Sequence, residues 1–300
     1  MPPAEPKLRF HIFCLTTIVI FSTLEVAGKL FGQGISPYTL TAWRFLIGGL
    51  VILPFALRQQ HNDRNRLKPG AIVRMGFLGV LNVCLSMLIL QLSIFYGKAS
   101  LAAVIVSMNP LFVSFFAQLL IKEKLRLPQL LGLMTGILGL SLIVLGERDF
   151  GSQRYLNLPL GIVFAVIAAS NFGLYTVLTK KSVLEHGNLV TNSVSFIIGA
   201  LILFLLNGIT GKPLVMALNW QNVLLTLYLG IILTGTAYLL YFEGMKGLPA
   251  NQASMYFFLK PVIASLFAWL ILNESLTWLQ IIAIAIIVLS MNLPRLIKSL

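Results

Sequence analysis

The sequence predicts an all-α integral membrane protein of ten transmembrane helices, arranged as two inverted five-helix repeats around a central cavity. Three observations predict it: too few charges to face water, ten apolar runs of bilayer length, and an internal repeat with an odd number of helices. Charged residues make up 10% of the chain and apolar ones 58%, with a mean hydropathy of +0.91. A soluble domain carries about 25% charge, so lipid must be the solvent for most of this surface.

A helix needs about 20 predominantly apolar residues to cross the hydrocarbon core. Ten segments qualify: residues 10–31, 37–57, 72–96, 100–121, 127–146, 158–179, 190–207, 221–242, 250–272 and 277–294. The connections are mostly short, and none is long enough for a separate soluble domain. Helices are the only solution here. In lipid each backbone polar group must be satisfied within its own segment, and these runs are much longer than barrel strands. The first run has no small-residue cleavage site after it and is read as a retained helix.

A net charge of +13 would suit a nucleic-acid partner if it formed a patch, but it is spread over short loops. Of the 22 Lys and Arg residues, Lys29, Arg44 and Lys260 fall within spans, and Lys98, Arg148, Arg154 and Lys212 fall in loops on one side. The other fifteen lie in loops on the opposite side. Basic loops face the cytoplasm, which predicts a multi-pass protein of the cell membrane with both termini cytoplasmic and no nucleic-acid partner. Cys14 and Cys84 lie inside apolar runs, and His11, His61 and His186 lie at or beyond span ends. That spacing predicts neither a disulfide framework nor a metal site, and no cofactor is expected.

Shifting the chain by 151 residues pairs Lys29 with Lys180, Gly48 with Gly199, Gly79 with Gly230 and Ala99 with Ala250. The same shift pairs Pro110 with Pro261, Ser114 with Ser265, Glu123 with Glu274 and Gln129 with Gln280. Leucine matches would be cheap in this composition, whereas matches of Gly, Pro, Glu and Gln at one offset are not. The chain therefore divides into a first repeat, residues 1–147, and a second, 158–300. Five helices per half place the halves in opposite orientations. Inverted repeats are the architecture of secondary transporters, because interchangeable halves can expose one central site to either side in turn.

These residues also resemble a family. Ala102–Ser107 leading into Pro110 and then Lys122-Glu123-Lys124-Leu125 resembles the EamA repeat of the drug/metabolite transporter superfamily. Asn251-Gln252-Ala253-Ser254 leading into Pro261 and Asn273-Glu274-Ser275-Leu276 resembles it again, and Ser36-Pro37 followed by Arg44 looks like the start of that repeat's second helix. The resemblance spans both halves. It implies a ten-helix fold with a cavity between the halves, and export of small metabolites. Glu25 is a departure, an acid where the first helix of such repeats usually carries none.

A charge within a span costs roughly 2.5–3.5 kcal/mol at the centre, so each one retained needs a partner or a task. Lys29 and Lys180 lie near span ends, where a long side chain reaches the headgroups. Glu25, Arg44 and Lys260 break the repeat symmetry, aligning with Thr176, Ser195 and Asn109. At 1.5 Å per residue, Glu25 and Arg44 lie about 9 Å and 10 Å from the outer ends of adjacent antiparallel helices. They are read either as a buried structural pair or as a gating or coupling pair. Lys260 lies about 15 Å into its helix, directly before Pro261, and is the leading substrate-binding candidate. Tyr256, one turn earlier, is expected on its face. Pro110 and Pro261 are expected helix kinks that free carbonyls. Asn109, Asn82, Asn171, Tyr175 and Tyr238 complete the expected substrate-binding set.

The reading is a secondary carrier that exports small polar metabolites such as amino acids by alternating access; no Walker A pattern is present to bind ATP. The rival readings are a lipid-linked sugar flippase, a channel, or an intramembrane enzyme. An enzyme would need clustered carboxylates, a metal site or a nucleophile with its base, and the scattered acids and peripheral histidines offer none.

Overall fold

The computed structural model describes residues 7–31, 35–62, 67–97, 99–145, 156–272 and 277–296, and every regular element among them is helical. In chain order these are α1 (Lys7–Phe31), α2 (Pro37–Asn62), α3 (Pro69–Tyr96), and α4, which runs Ala99–Ser107 and resumes as Asn109–Leu120. Next come α5 (Leu127–Leu145), α6 (Leu158–His186), α7 (Asn188–Ile209) and α8 (Trp220–Gly247). The last two are α9, running Ala250–Ser254, Met255–Phe258 and Leu259–Leu272, and α10 (Trp278–Leu296). One helix covers each predicted span. The side chains of Glu25 and Lys29 lie outside the described residues, as does Glu274.

The helix ends follow from local chemistry. The Asn157 side chain accepts from Leu160 N at 3.0 Å, and Pro159 sits in the first turn of α6, where its missing N–H costs nothing. α6 was expected to stop at 179 but continues to His186. Its last turns carry Lys180, Lys181, Glu185 and His186, so the helix leaves the apolar layer before it ends. Gly187, at φ +87°, then reverses the chain directly into α7. The repeat extends to the caps: Gln129 Oε1 accepts from Arg126 N at 3.0 Å, and Gln280 Oε1 from Thr277 N at 2.9 Å.

Packing between the halves is paired in the same way. α1 lies on α8 and on α9, and their repeat equivalents α6 and α3, and α6 and α4, pack likewise. α2 packs on α7 and α5 on α10, each a helix against its own repeat equivalent. The pseudo-two-fold axis therefore passes between these two pairs. The glycines matched in the sequence are the crossing points. A Cβ on Gly48 would lie 2.9 Å from the Gly230 carbonyl oxygen, and one on Gly199 would lie 2.5 Å from the Gly79 oxygen. The shift that takes Gly48 to Gly199 takes Gly230 to Gly79, so these are one contact made twice. In lipid, where the hydrophobic effect does not drive helices together, such small-residue contacts carry the association.

The outside of the bundle is apolar, as lipid requires: Phe55, Phe77, Phe115, Leu138 and Leu205 are all exposed. The inside holds the polar groups, including Asn82, Asn109, Arg44 and Lys260. α3 and α8 each contain an eight-residue π-helical stretch at equivalent depth, Val80–Met87 and Leu229–Thr236, a geometry that often accompanies functional sites.

A side chain at a crossing glycine must push two backbones apart. Gly79→Ala, facing the Ser195 carbonyl, is expected to lower stability by about 1–3 kcal/mol. Gly208→Ala, with no atom within 4 Å of the added Cβ, is expected to change it by less than about 0.5 kcal/mol. Thermal unfolding of the detergent-purified protein checks both.

Candidate functional site

A cavity of about 40 Å³ lies at the seam between the halves. Its wall comes from seven helices: Phe21 and Leu24 of α1, Arg44 of α2, Met87 and Leu90 of α3, Val106 of α4, Phe172 of α6, Leu233 and Tyr238 of α8, and Phe257 and Lys260 of α9. Three pairs in this wall are repeat equivalents at the 151-residue offset: Phe21 with Phe172, Met87 with Tyr238, and Val106 with Phe257. The cavity thus straddles the pseudo-two-fold axis. Val106 and Phe257 also stand four residues before Pro110 and Pro261. Each proline removes the helical donor for the carbonyl four residues earlier, so both carbonyls deprived of it belong to cavity residues.

Two cations face this space, one from each half. Arg44 is 2% exposed and Lys260 6%. The Arg44 guanidinium carbon lies 4.9 Å from the Phe45 ring centroid, a cation–π contact worth about 0.5–2 kcal/mol. Its Nε and Nη1 are buried and find no hydrogen-bond partner among the described residues. The Lys260 backbone carbonyl accepts from Ser22 Oγ at 3.1 Å, which ties α9 to α1 beneath the site. The equivalents of the two cations, Ser195 and Asn109, are buried and neutral. The scaffold is symmetric and its charge is not.

Tyr238 is the centre of an aromatic cage. Its ring lies 5.4 Å from Phe21, 5.9 Å from Phe45, 5.1 Å from Phe196 and 6.3 Å from Phe172, each near edge-to-face. Its hydroxyl donates to Asn82 Oδ1 at 3.5 Å. Phe257 joins the cage through Phe21 and Phe172. Edge-to-face pairs add about 0.5–1.5 kcal/mol each beyond area burial, so the cage holds the cavity wall in one arrangement.

Of the residues expected to form the site, the structure brings Lys260, Arg44 and Tyr238 to the cavity, with Asn82 behind Tyr238. Tyr256 lies elsewhere: its hydroxyl meets His11 Nδ1 at 2.8 Å. The α-helical register that should have put it beneath Lys260 is broken by the 3₁₀ turn Met255–Phe258. In a 3₁₀ turn residues three apart eclipse, so Phe257 takes the place on the Lys260 face. Asn171 is half-buried and donates to the Leu85 carbonyl at 3.0 Å, joining α6 to the π segment of α3. Tyr175 is fully buried one layer out, stacked on Phe172 at 6.0 Å. Asn109 is fully buried away from the cavity wall, at the break in α4. Pro110 opens the second part of α4 and Pro261 follows the 3₁₀ turn of α9, so both prolines accompany breaks. The Glu25 side chain, half of the expected pair with Arg44, is outside the described residues.

One cluster at the end of the bundle where α1 begins went unrecognised in the sequence. Lys180 Nζ lies 2.7 Å from Glu123 Oε1 and donates to the Leu248 carbonyl at 3.0 Å. Glu123 Oε2 accepts from Ala250 N at 2.8 Å, at the start of α9. Lys180 was read as reaching for headgroups. It is instead clamped, with its side chain only 12% exposed. The repeat had marked both residues; what it could not give was that they meet.

Compared with known proteins, residues 8–145 and again 159–293 match the EamA-like transporter family. An uncharacterized transporter of Clostridium kluyveri is 33% identical over 93% of this chain and 90% of its own length. The uncharacterized transporter YoaV of Bacillus subtilis is 25% identical over 88% of both. A chloroplastic WAT1-related protein of Arabidopsis thaliana is 23% identical over 86% of this chain and 62% of its own. A crystal structure with 22% identity superposes with a TM-score of 0.77 over 95% of this chain and 96% of that one, which shows the same fold. With two matched repeats filling nearly its whole length, the chain belongs to the EamA-like transporter family, a multi-pass membrane transporter of the drug/metabolite transporter superfamily.

Proposed function

We propose that the protein is a secondary carrier of the cell membrane that exports small polar metabolites bearing a carboxylate, the class that includes amino acids. The observation that carries this reading is the pair of buried cations, Arg44 and Lys260, contributed by opposite halves to one cavity at their seam. Each charge would cost roughly 2.5–3.5 kcal/mol at mid-membrane. An anionic group bound against the unanswered Arg44 donors offsets the cost of that charge and, by reaching both halves, couples binding to their relative motion. The units that move are the repeats, residues 1–147 and 158–300.

The Glu123–Lys180 clamp acts as the gate on the cytoplasmic side, where the excess of basic loop residues puts both termini. It ties the end of α4 in the first half to α6 and to the start of α9 in the second. At the 151-residue offset its sequence counterparts are Lys29, Glu274 and Ala99, whose side chains lie outside the described residues. Glu25 is the carboxylate available for coupling transport to protons. The cavity of about 40 Å³ is far below the roughly 300–1,000 Å³ of a ligand pocket, so the halves must part to admit a substrate.

Purified protein in liposomes is expected to show saturable exchange of carboxylate metabolites. Lys260→Ala should cut it by at least about tenfold, since removing one buried charged contact costs 2 kcal/mol or more. Ion conductance with no dependence on solute would sink the reading in favour of a channel.

The gate has its own test. In a protein lacking the native cysteines, Ala253→Cys lies buried beneath the clamp and should resist a membrane-impermeant thiol reagent added from the cytoplasmic side. Glu123→Gln should make it reactive. In stability, Glu123→Gln with Lys180→Met should cost less than the sum of the single changes, with a coupling of about 1–3 kcal/mol. Additive costs and an unreactive cysteine would reduce the clamp to an ordinary surface pair.

A further inference from the structure

We propose that the ligand of the central cavity is an organic monoanion with a ring-sized apolar body and no ammonium group, and that Arg44 is the receptor of its carboxylate. This rests on the carrier reading above and narrows its substrate class.

Arg44 supplies the first argument. A guanidinium presents five N–H donors in a planar fork. Here the fork is 2% exposed, and at least its Nε and Nη1 go unanswered among the described residues. Buried donors left unpaired are costly, and the group that fits a planar fork is a carboxylate, bound through two parallel hydrogen bonds. A sugar or nucleoside hydroxyl would satisfy one donor and leave the charge unbalanced.

The rest of the wall supplies the second. Around Arg44 and Lys260 stand Phe21, Phe172, Phe257 and Leu233, with Tyr238 turning its hydroxyl away to Asn82. The rest of the lining is apolar, so the body of the ligand meets rings and aliphatic side chains. A compact hydrophilic acid would strand its second polar group against phenylalanine.

Charge balance supplies the third. The lining holds two cations. Of these, the Arg44 donors are the ones unanswered among the described residues, and a monoanion matches that single charge. A zwitterion adds nothing to the balance and brings an ammonium towards Arg44 and Lys260 at a depth where like charges are poorly screened. The apolar body must also part the cage, since the cavity measures only about 40 Å³. Binding and opening of the seam are then one event.

The test uses the full-length protein in detergent and in liposomes, with four probes: 3-phenylpropionate, L-phenylalanine, 3-phenylpropan-1-ol and succinate. 3-Phenylpropionate should raise the melting temperature and be exchanged, acting at concentrations at least about tenfold lower than L-phenylalanine. The alcohol and succinate should neither stabilise nor compete. Arg44→Gln should abolish the response. Arg44→Lys, which keeps the charge and loses the fork, should weaken it by about tenfold and serves if the first variant does not fold. Equal or better action by L-phenylalanine, competition by the alcohol, no response to any probe, or an undiminished response in the Arg44 variants would each overturn the proposal. Arg44-independent exchange of a hydrophilic metabolite would overturn it while leaving the carrier reading intact. Conductance without any solute requirement would overturn both.

Discussion

Everything in this molecule depends on how closely the two repeats approach at their glycine crossings. Gly48 meets Gly230, and Gly199 meets Gly79, at distances that leave no room for a methyl group. These contacts set α2 against α8 and α7 against α3 around a common axis. Because the four glycines form one contact repeated, each half sees the other in the same way. The cavity follows as a consequence. It opens where the axis passes between helices whose breaks at Pro110 and Pro261 stop them from packing as continuous rods.

The same closeness makes the polar interior tolerable. Thr17 donates to the Ala237 carbonyl of the facing helix, Ser22 to that of Lys260, and Ser193 to that of Gly49. Hydroxyls of this kind join α1, α2, α7, α8 and α9 without placing a charge in the seam. Two charged arrangements stand out among the described residues. At the bundle end, Lys180 and Glu123 satisfy each other and the first turn of α9. In the middle, Arg44 sits among rings with donors to spare. The first arrangement is saturated and ties the halves together; the second keeps donors unanswered among the described residues.

Much of this was legible in the sequence, because the bilayer imposes length and the repeat imposes correspondence. The ten spans follow from runs of about 20 apolar residues. Glycine, proline and glutamine matches at one offset proved to be the crossings, the helix breaks and the matched caps. The aromatic cage was not legible. Phe21 and Phe172 are repeat equivalents, but a phenylalanine in an apolar run reads the same whether it faces lipid or a cavity; Phe55 and Phe77, in neighbouring runs, face outward. Tyr256 was misplaced because the 3₁₀ turn that rotates it depends on how α9 meets its neighbours. The clamp was missed for a similar reason. Glu123 and Lys180 stand 57 residues apart, and nothing local to either says that they touch.

The contrast between scaffold and charge carries a final consequence. Three pairs of lining residues obey the repeat, so the shape of the cavity looks alike from either half. Arg44 and Lys260 do not, since their equivalents are Ser195 and Asn109. A symmetric cavity would offer a ligand two equivalent orientations and no preferred one. An arginine in the first half and a lysine in the second make the cavity asymmetric in charge. Inverted repeats allow the halves to exchange conformations, and the charge pattern of the lining still tells one half from the other. Restoring the symmetry, by Ser195→Arg or by Arg44→Ser, would strand a charge in the first case and remove the anchor in the second. The asymmetry of this cavity thus lies in its charge and not in the repeat-related frame of its wall.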